Sequence, residues 1–290
     1  MKYADLYRKG KESLIHAGIA EAELDARLLL EYICHTNRND LLVHGDREVS
    51  PEDVEKYLAW IDKRATHVPL QHITGVQEFM GLEFDVNEHV LIPRQDTEIL
   101  VEEILKDLHD GTRILDMCTG SGCILISLLN YSNDCEGVGV DISAEALAVA
   151  KRNASKLLSQ KQDDTKFSFV ESDLFSCFDK SVLNGESVDK FDIIVSNPPY
   201  IRSDVIPTLM EEVRLHEPIG ALDGTEDGLF FYRKITKQSK DYLQSGGKLF
   251  YEIGYDQGDA VKDIMKTAGF LDVKVIKDFA GLDRVVYGRL

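Results

Sequence analysis

The pattern of apolar and polar positions changes character twice along the chain. In residues 1–68, apolar residues recur every three or four positions, as in AELDARLLLEYI and VEKYLAWI, and this spacing predicts amphipathic helices. Ser50 followed by Pro51 predicts a helix start, because serine caps the first turn and proline fits the first helical position. We therefore expect a small N-terminal helical bundle, used either to dock a substrate or only for stability.

The next stretch, residues 69–93, reads PLQHITGVQEFMGLEFDVNEHVLIP. β-Branched and aromatic residues alternate with polar ones, and Gly75 and Gly81 interrupt them, so the pattern predicts a β-hairpin linker. Residues 94–290 then alternate strand-like and helix-like runs, which predicts an α/β domain with a Rossmann-like, mostly parallel sheet. Its seven strands are expected at 112–116, 136–140, 167–170, 191–195, 247–253, 271–276 and 284–289.

A glycine-rich turn follows the first of these strands, in ILDMCTGSGCI. Gly120 and Gly122 would let the backbone approach a ligand closely. Leu125 stands where a dinucleotide-binding fingerprint has a third glycine, and no Lys-Ser or Lys-Thr pair follows as in a Walker loop. The turn therefore favours a nucleoside without a pyrophosphate, the alternative being an ordinary corner between strand and helix.

Acidic residues at strand ends sharpen this prediction. Asp141 follows Gly120 by 21 residues and ends the next strand, where a carboxylate can accept both ribose hydroxyls. Asp116, at the end of the first strand, would help to position a cationic part of the ligand, while Asp173 and Leu174 would border its base. A pocket lined by carboxylates suits a sulfonium cation better than a phosphate.

The fourth strand ends in SNPPY, residues 196–200. Two prolines give no amide donors and hold the backbone extended. If the Asn197 side-chain oxygen and the Pro198 carbonyl each accept one hydrogen of a planar NH2 group, they aim its lone pair and offset the charge that develops on nitrogen. Tyr200 would stack on the planar group. The alternative is a turn that only ends the strand.

The glycine turn, the ribose acid and NPPY together resemble the class I S-adenosylmethionine-dependent methyltransferases. Within that class, NPPY is similar to the motif of enzymes that methylate the exocyclic amine of adenine or the side-chain amide of glutamine, and the motif alone leaves both open. The resemblance implies S-adenosylmethionine as the cofactor. It implies a catalytic role for Asn197, Pro198 and Tyr200.

Over nearly its full length the chain resembles the protein-(glutamine-N5) methyltransferases that modify the GGQ glutamine of bacterial-type peptide chain release factors. The segments that carry the likeness are PLQHITGVQEFMGLEF, LIPRQDTE, NPPYI, EPIGALDGTEDGLFFYRKI and YEIGYDQG. Gln95 stands where the family usually has proline, and Cys118 where its first loop glycine is common. The partner so implied is a release factor, whose body the helical domain would hold.

The resemblance also implies the residues of the site. Arg94 and Glu98 look suited to shaping the floor of the pocket, with an interdomain salt bridge as the alternative. The cofactor would contact Cys118, Thr119, Gly120, Ser121, Gly122, Asp141, Leu174 and Asn197, beside Asp116 and Asp173, and the substrate glutamine would contact Asn197, Pro198, Pro199 and Tyr200.

Composition changes the picture in one respect. The formal net charge is −18, of which residues 1–68, with 13 acidic and 10 basic side chains, carry only −3. A protein that binds phosphate backbones needs clustered Lys and Arg, so a nucleic-acid substrate is not expected, although acidity kept for solubility explains the charge equally well.

Further expectations concern the setting of the protein. No apolar run is long enough for a membrane helix, and the amino terminus lacks the apolar centre of a signal peptide, so we expect a cytoplasmic protein without a membrane partner. We also expect a monomer. Five cysteines without a CxxC pair, and His67 and His72 without a third ligand, indicate no metal site. The alternatives to a release-factor methyltransferase are a ribosomal-protein glutamine methyltransferase, an adenine methyltransferase acting on DNA or RNA, and an inert cofactor-binding scaffold.

Overall fold

A computed structural model describes residues 1–161, 166–179 and 190–290. Its contacts divide the chain into two units. The helical unit consists of Met1–Val76 and Met210–His216, and the catalytic unit consists of Gln77–Leu209 and Glu217–Leu290. The helical unit thus extends past the sequence-based boundary at residue 68, and it takes in a segment from far along the chain that no local pattern indicated.

The helical unit is built on amphipathic helices around one apolar core. Ser50 caps α4 as expected, its hydroxyl accepting the Asp53 amide at 3.1 Å, with Pro51 in the first turn. Gly10 lets α1 approach Tyr57, because a Cβ there would lie 2.0 Å from the Tyr57 hydroxyl oxygen. The helices of this unit are α1 Tyr3–His16, α2 Ala22–Cys34, α3 Arg38–Val43, α4 Pro51–Ala65, α5 Leu70–Thr74 and, from the distant segment, α9 Glu211–His216.

The predicted hairpin linker is confirmed only in part. Strands β1 Val76–Phe79 and β2 Leu82–Asp85 form a two-stranded sheet. Leu70–Thr74, predicted as part of the linker, is the short helix α5, so the prediction was wrong for those residues. The helix follows Pro69 and ends on Gly75 in the left-handed conformation, and these flanking residues override the alternating pattern.

The large sheet of the catalytic unit has the expected architecture. In the described part of the chain its seven strands lie in the order β5-β4-β3-β6-β7-β9-β8. The pairs from β5 to β7 are parallel, while β9 pairs antiparallel with both β7 and β8. The strands are β3 Arg113–Met117, β4 Glu136–Asp141, β5 Lys166–Glu171, β6 Phe191–Ser196, β7 Leu243–Glu252, β8 Leu271–Lys277 and β9 Asp283–Arg289.

Both faces of this sheet are covered. Along β6, Ile193 and Val195 belong to one apolar cluster and Ile194 belongs to the other, as the alternation of side chains across a strand requires. The strand order reverses between β3 and β6, which places a crevice at their carboxyl ends. The helices of this unit are α6 Gln95–Leu105, α7 Cys123–Tyr131, α8 Ala144–Leu157, α10 Ile219–Leu222, α11 Phe230–Tyr242 and α12 Gly258–Thr267, with 3-10 turns at Leu174–Phe178 and Ile206–Thr208.

Candidate active site

The glycine turn joins the central strand β3 to helix α7. The Thr119 amide donates to the Val140 carbonyl of the neighbouring strand at 3.0 Å, which fixes the turn against β4. Gly120 and Gly122 have φ of +56° and +79°, and Cys118 also lies in the left-handed region with φ of +64°. Because glycine favours that region, the backbone explains why a glycine is common at position 118 in the family that the sequence resembles.

Asp141 ends β4 and is held by backbone amides. Its Oδ2 accepts the Gly120 amide at 2.8 Å, and its Oδ1 accepts the Ser143 amide at 3.0 Å. Burial raises the pKa of this carboxyl, and the two amide hydrogen bonds offset part of the effect. Each carboxylate oxygen keeps a free lone pair, so the group can still accept a pair of hydroxyls.

Asp116 lies in β3 and is completely buried. Its Oδ2 accepts the Thr119 hydroxyl at 2.6 Å, whereas its Oδ1 makes no hydrogen bond of normal geometry with any described residue. Burial raises the pKa of this carboxyl to about 7, with the Thr119 hydroxyl and the Leu125 amide opposing the shift. A buried acceptor left without a partner beside the glycine turn suits a cationic ligand group.

The NPPY motif extends from the end of β6. The Ser196 hydroxyl donates to the Met117 carbonyl at 2.7 Å and so ties the end of β6 to β3. The Tyr200 hydroxyl lies 3.4 Å from Oε1 of Glu252, the last residue of β7. Burial raises the pKa of Glu252 to about 6, against the opposing effects of the Thr97 hydroxyl and Arg284. Burial also raises the pKa of Tyr200.

One cavity of about 370 Å³ brings most of the predicted site residues together. It opens at the carboxyl ends of β3, β4 and β6, where the topology places a crevice. The predicted residues that line it are Arg94, Cys118, Thr119, Gly120, Ser121, Asp141, Asp173, Leu174, Asn197 and Pro199. Asp116, Gly122, Pro198, Tyr200 and Glu98 do not line it.

The two residues predicted to shape the pocket floor behave differently. Arg94 lines the cavity, and its Nη2 lies 2.6 and 2.7 Å from the two carboxylate oxygens of the buried Glu217, which belongs to the same unit. Glu98 instead accepts the Met80 amide at 2.6 Å and so holds the turn between β1 and β2. Arg94 therefore remains a candidate binding residue, and the observed contact of Glu98 is structural.

Sequence reasoning missed several residues that line the cavity. Ile142 is apolar, is 70% exposed and lines the cavity. The signal in the sequence was an isoleucine directly after the ribose-binding candidate Asp141, which could have indicated a surface for a flat base. The segment before α6 and the segment around α10 carry no periodic signal. The main missed residues are His89, Val90, Leu91, Pro93, Ile142, Ser143, Ser172, Pro218, Gly220, Ala221, Asp223 and Phe231.

The residues present fit S-adenosylmethionine. Asp141 offers acceptors for a ribose, and the lining of the cavity is mainly apolar. Asp116, which does not line the cavity, has a buried oxygen without a hydrogen-bond partner near the turn. Within residues 1–161, 166–179 and 190–290, no group of three or more His, Cys, Asp or Glu side chains could hold a metal ion. Across the same ranges, no helix is both long and apolar enough to cross a membrane.

The strand order, the glycine turn and the acid at the end of β4 define a Rossmann-like class I methyltransferase. In agreement, residues 108–259 match the model of a methyltransferase domain, and residues 5–75 match that of the PrmC N-terminal domain. Enzymes of this class use S-adenosylmethionine as the methyl donor.

Similar proteins of known name indicate which family of methyltransferases the chain belongs to. The release factor glutamine methyltransferase of Clostridium acetobutylicum is 44% identical over 90% of this chain and 89% of its own length. That of Clostridium botulinum is 42% identical over 98% of both chains. A solved release-factor-specific protein-(glutamine-N5) methyltransferase from Alicyclobacillus acidocaldarius is 29% identical, covers 71% of this chain and 98% of its own, and has a TM-score of 0.40, too low to add to the sequence relatives. The chain belongs to the release factor glutamine methyltransferase family.

Proposed function

We propose that this chain transfers a methyl group from S-adenosylmethionine to the side-chain amide nitrogen of the glutamine in the GGQ motif of a peptide chain release factor. The N–C bond would form as the S–C bond of the sulfonium breaks, S-adenosylhomocysteine would leave as the thioether, and the amide nitrogen would lose one proton to solvent. The observation that carries the proposal is that Asn197 of the NPPY motif lines the same cavity as Asp141 and the glycine turn. A planar amide bound by the motif would therefore meet a donor bound by the turn.

The chain's own residues then have defined tasks. The bound donor supplies a methyl group on a sulfonium, which is already a good electrophile. Asp141 would hold the ribose hydroxyls, and Asp116 would favour the positive charge of the donor. The Asn197 side-chain oxygen and the Pro198 carbonyl would each accept one N–H of the substrate amide and direct its lone pair. Arg94, fixed by Glu217, would border the substrate.

The proposal extends to the partner and setting. The helical unit would hold the body of the release factor while its glutamine reaches the cavity. The net charge of −18 favours a protein substrate over a nucleic acid, because phosphate backbones are bound through clustered cations. We further propose that the enzyme acts as a monomer in the cytoplasm.

Transfer of labelled methyl groups tests the substrate. The chain is incubated with labelled S-adenosylmethionine and, in parallel, with a release factor, the same factor with its GGQ glutamine changed to asparagine, a ribosomal protein preparation and DNA. We expect label on the unaltered release factor and none on the changed one. Label found only on ribosomal protein or on DNA would refute the proposal.

A further inference from the structure

The backbone that follows NPPY is paired with residues 222–225, which follow α9 in the sequence. The Ile201 amide donates to the Leu222 carbonyl at 3.0 Å, and the Gly224 amide donates back to the Ile201 carbonyl at 2.8 Å. The Ser203 amide then donates to the Thr225 carbonyl at 3.0 Å. The residues directly after the motif therefore lie in a short parallel pairing within the catalytic unit.

Two glycines of that segment press against the last residue of the motif. A Cβ on Gly224 would lie 2.7 Å from the Tyr200 carbonyl carbon, and a Cβ on Gly228 would lie 2.5 Å from the Tyr200 carbonyl oxygen. Gly228 also has φ of +71°, which favours glycine. No larger residue fits at either position without moving the Tyr200 backbone.

Gln257, in the loop after β7, also contacts the Tyr200 backbone. Its Nε2 donates to the Tyr200 carbonyl at 3.0 Å and to the Gly228 carbonyl at 3.3 Å. Its Oε1 accepts the Gly254 amide at 2.9 Å and lies 3.4 Å from the Tyr232 hydroxyl. Both amide hydrogens of the side chain are thus used, and its oxygen accepts the Gly254 amide, while the Tyr232 hydroxyl lies closer to the Glu252 carbonyl, at 3.0 Å. The carbonyls on one side and the Gly254 amide on the other fix the orientation of the side chain.

We propose that Gln257 is a positioning residue for amide methylation, acting through the Tyr200 carbonyl on the acceptors of Asn197 and Pro198. This inference rests on the proposed function. Between the Pro198 and Tyr200 carbonyls the ring of Pro199 locks φ, so fewer backbone torsions are free to absorb a shift of the Tyr200 carbonyl before it reaches the Pro198 carbonyl. Because methyl transfer depends on alignment, a displacement of about 1 Å can lower the rate about 100-fold.

The substitution Gln257→Glu isolates the two donated hydrogen bonds. Glutamate has nearly the same shape and keeps an acceptor for Gly254, but its second oxygen faces the carbonyls of Tyr200 and Gly228. Above neutral pH we expect turnover on the release factor to fall up to about 100-fold, with the dissociation constant of S-adenosylmethionine, measured by calorimetry, changed less than about twofold. As pH falls towards about 5, protonation of the introduced carboxylate restores a donor, so the ratio of variant to wild-type turnover should rise.

Gln244→Glu, the same change at an exposed residue of β7, is the matched control and should stay within about twofold of wild type at every pH. Should Gln257→Glu fail to fold, Gln257→Met removes the donors without adding a charge and should show the same loss of turnover without recovery at low pH. Turnover of Gln257→Glu equal to wild type, or a loss that does not depend on pH and is matched by weaker cofactor binding, would overturn the inference.

Hydrogen exchange separates this inference from the proposed function. In wild type and Gln257→Glu, exchange is followed by mass spectrometry for the peptide that spans residues 197–203. Faster exchange of that peptide in the variant, with α8 unchanged, supports the positioning role even if the release factor proves not to be methylated. Unchanged exchange would overturn it, whichever substrate the enzyme accepts.

Discussion

Asp25 of the helical unit and two buried carboxylates at strand ends of the catalytic unit are compensated to different degrees. In the helical unit, Asp25 is only 6% exposed, and its Oδ2 lies 2.8 Å from Nε of Arg64. The same guanidinium contacts Glu212 at 2.7 Å and the Val68 carbonyl at 3.3 Å. Burial still raises the pKa of Asp25, but the paired arginine opposes the shift. Its desolvation is therefore compensated in part within the unit.

In the catalytic unit, Asp116 and Glu252 lie at the carboxyl ends of β3 and β7 and are almost completely buried. Each has one oxygen without a hydrogen bond to any described residue, and burial raises their pKa values to about 7 and about 6. Asp25, like Glu217 of the catalytic unit, is paired with an arginine, whereas Asp116 and Glu252 each keep an oxygen without a hydrogen-bond partner close to the candidate site. Two substitutions test this contrast, and two more test the candidate site beside Asp116.

The largest effect is expected in the helical unit. Arg64→Met keeps the apolar stem but leaves Asp25 and Glu212 without their cation, so the free energy of unfolding should fall by about 3 to 5 kcal/mol. Trp60, the sole tryptophan of the sequence, lies one turn earlier in α4 and reports unfolding of this unit by fluorescence. Arg8→Met, at an exposed ion pair with Asp5, should cause no measurable change. Equal effects of the two variants would contradict the contrast.

The second substitution, Asp116→Asn, should change how stability depends on pH. The raised pKa of Asp116 means that its protonated form stabilises the folded state at low pH, and this contribution is lost as pH rises from about 4 through about 7. Asparagine stays neutral, so relative to wild type the variant should gain on the order of 3 kcal/mol of unfolding free energy between pH 5 and pH 8. Denaturant unfolding followed by circular dichroism measures this difference.

Asp62→Asn, at an exposed position, serves as the control for that experiment, and its free energy of unfolding should depend on pH as that of wild type does. If the stability of Asp116→Asn depends on pH as that of wild type does, the Asp116 carboxyl is compensated in the folded protein and the contrast with Asp25 fails.

The third effect concerns turnover. Asn197→Ala removes one of the two proposed acceptors, and the rate of methyl transfer should fall about 100-fold, equivalent to about 2.7 kcal/mol of transition-state stabilisation. Thermal unfolding should be nearly unchanged, because Asn197 lines the cavity and is not part of the core. Normal turnover in this variant, or its unfolding, would contradict the assigned role.

The smallest effect is expected on cofactor binding. Asp141→Ala removes the acceptors proposed for the ribose, and the dissociation constant of S-adenosylmethionine should rise about tenfold, or about 1.4 kcal/mol. Calorimetry measures it directly, with the exposed Asp110→Ala as a control for the loss of one negative charge. If Asp141→Ala and Asp110→Ala have the same dissociation constant for S-adenosylmethionine, Asp141 does not contact the ribose.

Much of the fold could be predicted because its signals are local. The strand around Ile193 is a continuous apolar run, and the pair Ser50-Pro51 is a cap whose chemistry acts within four residues. The site signals were also local: a glycine turn, an acid at a strand end and a motif at another strand end meet because parallel strands share one edge.

What could not be predicted depends on contacts between distant residues. The bond from Arg64 to Glu212 spans 148 positions, so no periodicity assigns α9 to the helical unit. Leu70–Thr74 is too short for a helical period to outweigh its alternating pattern. Glu98 looked like a pocket residue, yet its carboxylate is taken by the Met80 amide, a partner that only the folded hairpin brings near.

The position of α9 limits how the two units can be recombined. The chain passes from the helical unit to the catalytic unit after Val76, returns at Met210 and leaves again after His216. If the chain is truncated at residue 76, Glu212 is separated from Arg64. The catalytic unit then keeps the seven residues Met210–His216 without the helices that they belong with. A chimera between two relatives must therefore exchange Met1–Val76 and Met210–His216 together. Among relatives, substitutions at Arg64 should be accompanied by substitutions at Glu212.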